Sequence, residues 1–341
     1  MIDFRFHLVS TIAVLLALAL GTALGSTLLK DPLLNTLRGE TADLRSETDR
    51  LADAKEAAEQ RSAGAGRLVG AYADAILDGE LNGVSVAVVE SPGTDPKLRE
   101  GVVRRIEQAG GTVPGRLSVS PDLLQEDESA FVRELTDQLA TGAALPDGSA
   151  RERAGVLLGR AVLKTGGGKP GDAESGFDAA AALAGFAEAG LLTVHGEPAG
   201  AADTVVLLAS GADAGGEAAP TAAMLDAADG LHAAAQSAVL VGAPAAAERG
   251  GLVEQARRAG ASYSTVDAAG STVGDVAAAL AVAAAVDGRT GSYGTAEGTD
   301  GFLPDPPPAD GDEEGGDDEG RESPDSGLAA ADSRGSTATD G

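Results

Sequence analysis

The sequence predicts an α/β protein held at a membrane, and three features carry that reading. A stretch of 22 residues without a charge lies near the N-terminus, leucines then recur at intervals of seven, and short apolar runs alternate with helical segments over most of the remaining chain. The chain divides accordingly into a membrane anchor (1–30), a coiled-coil stalk (31–63), an α/β globular domain (64–290) and a disordered Gly/Pro/acid-rich tail (291–341).

The uncharged stretch runs from Leu8 to Leu29, with Leu8, Leu15, Leu20 and Leu29 marking its length. At about 1.5 Å per residue such a helix crosses a hydrocarbon core of about 30 Å. Gly21 and Gly25 have the spacing that allows a second helix to approach closely in lipid. A cleaved signal peptide is the rival, since Arg5 supplies a positive start and Ala23-Leu24-Gly25 has small-x-small character. The anchor is favoured because the apolar run continues through Leu28 and Leu29 into a helical pattern. Basic residues lie on both sides (Arg5; Lys30, Arg38 and Arg45), so charge does not set orientation; the bulk of the chain is placed outside the cytoplasm.

After Asp31-Pro32, which suit a helix start, Leu37, Leu44 and Leu51 fall at d positions with Ala58. The a positions are Leu34, Thr41, Thr48 and Lys55, so the seam Leu34, Leu37, Leu44, Leu51 is apolar mainly on one side. It predicts a short, weak coil making a homodimer or higher homo-oligomer, with Glu40 and Arg45 spaced for an interhelical ion pair. A single amphipathic helix lying on the globular domain is the alternative. Gly64 and Gly66 are expected to end the helix in either case.

From about Gly66 the pattern becomes that of helices covering a mostly parallel, Rossmann-like sheet. Strands are expected at Val84–Val89, Val113–Val119, Thr204–Ala209, Ala238–Val241 and Tyr263–Val266. Helices are expected after Pro96, over Leu123–Leu139, twice more before Ala189, and over Pro220–Gln236, Pro244–Ala259 and Val273–Val286. With 3% aromatic residues in a chain that is 43% hydrophobic, the core must be built from small aliphatics. Between Asp305 and Gly341 twelve acids stand against Arg321 and Arg334, a composition that predicts disorder.

A net charge of −28 excludes nucleic acid as a partner, because a phosphate backbone requires a basic surface. The absence of cysteine excludes disulfides, thiolate metal sites and cysteine nucleophiles. Enzyme motifs are thin. In "KTGGGKPG" (Lys164–Gly171) the first glycine of a phosphate loop is replaced by Leu163 and its Ser/Thr by Pro170, so it reads as a flexible loop. A site in the sheet would lie in the loops Ser91–Asp95, Ser210–Asp213 and Gly242–Pro244, which offer no general base with a partner, and no catalytic residue is assigned.

The opening "MIDFRFHLVS", the run "LALALGTALG", the leucine stalk and the distal "GSYGTAEGTDGFLP" together resemble the actinobacterial copper-transport protein B family, to about Leu303. The most specific part is Phe4, Arg5, His7, Val9 and Ser10. The resemblance implies a membrane-anchored envelope protein with a non-enzymatic role in copper homeostasis or export. Some similar proteins are associated with cell separation and wall remodelling, which leaves an envelope scaffold or regulator, with division proteins as partners, as the alternative. No cofactor is expected to be bound tightly, and copper enters only as a transported ion. Copper selects thiolate, thioether or imidazole ligands, yet the chain offers only Met1, Met224, His7, His195 and His232, unclustered. Met224 and His232 sit about 80° apart around a predicted helix and more than two turns along it, too far to chelate together.

Overall fold

The computed structural model describes residues 3–28, 30–164, 176–211, 221–235 and 237–306. Helix α1 (Asp3–Leu28) takes in the uncharged stretch up to Leu28 and is followed by the 48-residue α2 (Lys30–Leu77). The expected stop at Gly64 and Gly66 does not occur, and the helix continues through both. Packing explains this. Gly66 and Gly70 face the Thr272 side chain, with which an added Cβ would stand in ordinary contact at 3.8 and 3.4 Å, so this part of α2 lies against the domain. Beyond them Ala73 and Leu77 are fully buried, which offsets the ~1 kcal/mol helix cost of each glycine. The chain leaves the helix after Leu77 through a turn in which Gly79 and Gly83 both take a φ of 79°.

The next elements are β1 (Val86–Glu90), α3 (Pro96–Gln108) and β2 (Gly115–Val119). Asp95 starts α3 by accepting from the Lys97 N–H at 2.8 Å, with Pro96 in the first turn. The single helix expected over Leu123–Leu139 is two, α4 (Pro121–Leu124) and α5 (Ser129–Leu139). Two helices follow as expected, α6 (Ala150–Val162), opened by a Ser149/Glu152 capping box, and α7 (Ala179–Glu188). The antiparallel edge strand β3 (Leu192–Gly196) was not expected, and His195 lies on it opposite Arg116. An edge strand with mixed burial carries no continuous apolar run to announce it.

The second series comprises β4 (Thr204–Ala209), α8 (Thr221–Ala234), β5 (Ala238–Gly242), a 3₁₀ turn at Pro244–Ala247, α9 (Leu252–Ala259), β6 (Ser264–Val266), α10 (Thr272–Val286) and β7 (Ser292–Tyr293). The helix expected from Pro244 thus begins only at Leu252. β7 corrects the tail boundary at 291: it pairs with β6, and Gly294 donates to the Gly301 carbonyl at 2.9 Å. Residues 307–341, most of the expected tail, lie outside the described residues.

The seven strands form one sheet in the order β3-β2-β1-β4-β5-β6-β7, parallel except for β3. Because alternate residues of a strand face opposite sides, Val86, Val88, Val206 and Leu208 pack beneath α2, α3 and α10, whereas Ala87, Val89, Val205 and Leu207 face α5 to α9. The helices on both faces approach closely through glycine and alanine. At the α6–α8 crossing, a Cβ on Gly155 would lie 2.2 Å from the Ala227 carbonyl oxygen, and one on Gly230 would lie 2.0 Å from that of Glu152.

Candidate functional site

In an open parallel sheet the usual ligand crevice lies beyond the carboxyl ends of the strands, where the strand order reverses. Here that point is between β1 and β4, and the chain's own residues close it. Ser91 Oγ accepts from the Ser210 N–H at 2.7 Å, and Thr94 Oγ1 donates to the Ser91 carbonyl at 2.8 Å. Beside them the buried Glu90 faces Arg99 and Arg116, each at 3.5 Å. Of the loops expected to form a site, Ser91–Asp95 and Ser210 therefore meet, but as a structural plug. Asp213 lies outside the described residues.

The open space lies to one side. A cleft of about 1050 Å³ runs between α2, the start of α3, the ends of β5 and β6, and the first turn of α10. Its walls are mostly small residues, among them Ala63, Gly66, Gly70, Ala243, Ala268 and Ala269, with Pro244 and Phe302 as larger apolar groups. Glu59 and Asp95 balance Arg67 and Arg105 at its surface, so it selects neither anions nor cations strongly. At the start of α10 the Gly274 N–H donates to Ser271 Oγ at 3.1 Å, and just ahead of the helix the Gly270 N–H donates to Asp275 Oδ1 at 2.8 Å. Among the described residues, no group of three or more His, Asp or Glu stands close enough to hold a metal ion.

The floor near Thr295 is held by a buried carboxylate that no sequence motif announces. Asp267, fully buried at the end of β6, pairs with Arg257 Nη1 at 2.6 Å and accepts from Thr295 N–H at 2.6 Å and from Ala296 N–H at 3.2 Å. Arg257 also donates to Thr265 Oγ1 and to the Tyr293 carbonyl, both at 2.9 Å. Both charges are thereby paired and hydrogen-bonded, which is the condition for burying an ion pair without a large desolvation penalty. Gly294 is required twice over: its φ is 133°, and an added Cβ would stand 2.1 Å from Asp267 Oδ1. The distal "GSYGTAEGTDGFLP" is therefore β7 and the loop folded over Asp267. Its glycine pattern beyond the last predicted helix was the available signal.

Four groups outside this node have displaced acidities. Burial raises the Asp275 carboxyl above its ordinary value, although the Gly270 N–H, Arg105 and Arg104 counteract it. Burial likewise raises Asp229, against the hydrogen bond from Tyr263 Oη at 3.1 Å and with Asp226 and Glu152 adding to the rise. It also raises the Tyr263 phenol, which Asp229 pushes further. Burial tends to raise Asp203 too, but the Lys164 ammonium at 2.6 Å and the Ser85 N–H at 2.8 Å outweigh it and hold this carboxyl below its ordinary value. Lys164 is the start of the phosphate-loop-like segment, of which 165–171 lie outside the described residues.

The possible copper ligands remain apart. His7 is on α1, His195 on β3, Met224 buried on α8, and His232 near the end of α8 with its ring 5.2 Å from that of Tyr263. Of the expected anchor residues, Leu8, Leu15 and Leu20 are exposed on α1, in a span Phe4–Leu24 long and apolar enough to cross a membrane; Leu29 lies outside the described residues. Of the expected seam, Leu44 and Leu51 are 68% and 62% exposed on α2, while the side chains of Leu34 and Leu37 lie outside the described residues.

Known proteins match most of this sequence. The copper transporter MctB of Mycobacterium tuberculosis H37Rv is 29% identical over 314 residues, covering 87% of this chain and 98% of its own length, and that of Mycobacterium bovis matches to the same extent. Copper transporter MctB of Mycobacterium leprae is 30% identical over 167 residues, or 48% of this chain and 53% of its own. The model of the family described as "Copper transport outer membrane protein, MctB" matches residues 1–304, which takes in the apolar helix, the long helix, the whole sheet and the loop over Asp267, and the chain belongs to that family.

Proposed function

We propose that this chain is a non-enzymatic, single-pass membrane protein of the cell envelope, with its α/β domain outside the cytoplasm, that contributes to copper export or tolerance. The observation that carries this reading is the family match over residues 1–304, in which the apolar helix and the α/β domain occur together. The architecture limits the mechanism. A single apolar helix encloses no pore, and the sheet is mostly parallel with helices packed on both faces, unlike the wall of a membrane barrel. Movement of copper across the bilayer therefore requires several copies or a partner, and copper is cargo and not a resident ion. A strain of the source organism lacking the chain tests this directly. Copper sensitivity is expected, restored by the full chain and not by one lacking residues 1–30; unchanged copper tolerance in the deletion strain overturns the proposal.

A further inference from the structure

Since α2 does not stop at Gly64, its heptad register can be followed well past the short seam. The d positions continue from Leu44 and Leu51 through Ala58 and Ala65 to Tyr72, and all five are exposed. Leu68 at g and Ile76 at a flank the lower end, at 62% and 40% exposure, although Ala73 and Leu77 of the same turns are buried against the sheet. From Leu44 to Tyr72 the stripe is about 42 Å long and drifts by about 20° per heptad, the mismatch that a left-handed supercoil takes up. One chain leaves this face without a partner.

We propose that the occupant of this stripe is α2 of a second copy of the chain, in a parallel two-stranded coil extending from the membrane-proximal leucines to Tyr72. Charge supports a second copy. In a parallel pair, Glu40 at g meets Arg45 at the following e of the other helix, twice by symmetry, and both residues are exposed in the single chain. Lys55 at an a position restricts the number of strands to two, because a lone lysine there is tolerated at the edge of a dimer and not inside a higher bundle. Four heptads from Leu44 to Tyr72 also reach the length at which a weak seam becomes a coil. Ser62 and Ala65 belong both to the stripe and to the wall of the cleft, so the second α2 borders each cleft and makes it part of the dimer. The parallel alignment rests on reading α1 as an anchor, which places both N-termini in one membrane.

The cysteine-free chain makes the test clean, because any disulfide formed is the one introduced. Full-length Leu51→Cys, Ala65→Cys and Tyr72→Cys variants, with Asp53→Cys and Gln60→Cys on the opposite face as controls, are oxidised in native membranes and run without reductant. Residues at d face each other closely enough for a disulfide, so the three d variants are expected to yield dimers at several times the level of the controls. Dimers at Leu51→Cys alone overturn the extended coil while leaving the short seam and the copper reading intact. Equal yields on both faces, or capture of a different protein by Tyr72→Cys in place of a second copy, overturn the proposal. Loss of copper tolerance is scored separately, so the two readings fail independently.

Discussion

Asp275 shows how one residue can act against the stability of its own fold. It sits in the first turn of α10, where its carboxylate accepts from Gly270 N–H and lies against α3 so closely that a Cβ on Gly101 would be 2.3 Å from Oδ2. Burial raises its folded-state pKa above the ordinary 3.8, so the folded chain holds its proton to higher pH than the unfolded chain does. The contribution to stability is then complete below about pH 3.8 and is lost as pH rises through the raised folded value. Asp275→Asn keeps an acceptor for Gly270 and removes the buried charge. The expected outcome in detergent-solubilised full chain is a Tm a few degrees above wild type at pH 7, with the difference vanishing near pH 4. A variant that melts lower at pH 7 would mean that Arg104 and Arg105 outweigh burial. Asp267 contrasts with it, because the same cost of burial is met by Arg257 and two backbone amides.

At the scale of elements, glycine separates what the sequence revealed from what it concealed. Apolar runs such as Val86–Val89 and Thr204–Ala209 announced the five long or central strands, since strands buried on both faces need continuous hydrophobicity. β3 and β7 were hidden because an edge strand and a two-residue strand depend on partners rather than on their own pattern. Gly64 and Gly66 read as a stop because propensity is local, whereas α2 is held by contacts with α10, which lies far along the chain. The cleft was illegible for the same reason: its two long walls are far apart in sequence. The two kinds of helical glycine are separable by experiment. Gly230→Ala drives a methyl into the α6 backbone and is expected to cost about 1–3 kcal/mol, whereas Gly64→Ala, with nothing within 4 Å of the new Cβ, should gain up to about 1 kcal/mol. Urea midpoints at unchanged slope measure both; equal effects would refute the close α6–α8 packing.

For the molecule as a whole, the balance between water and lipid decides where it resides. Eleven large apolar side chains of α1, from Phe4 to Leu24, are at least half exposed, and at about 1.5–3 kcal/mol for each one buried, their transfer out of water is worth on the order of 20 kcal/mol. Nothing else in the described chain covers them, and a 21-residue span of mean hydropathy 2.1 is about 31 Å long, the thickness of a hydrocarbon core. A signal peptide solves the same problem by removal, and cleavage near Ala23-Leu24-Gly25 would discard nearly the whole apolar surface. The two outcomes differ in mass and in solubility. If α1 is retained, the intact mass of the mature protein includes the segment up to Lys30, and the protein stays with membranes through high-salt and alkaline washes until detergent is added. A mature chain beginning near Ser26 and recovered in the aqueous fraction would remove the anchor and with it the shared membrane that sets two α2 helices parallel. The α/β domain would survive that result unchanged, because its core is formed without any residue of α1.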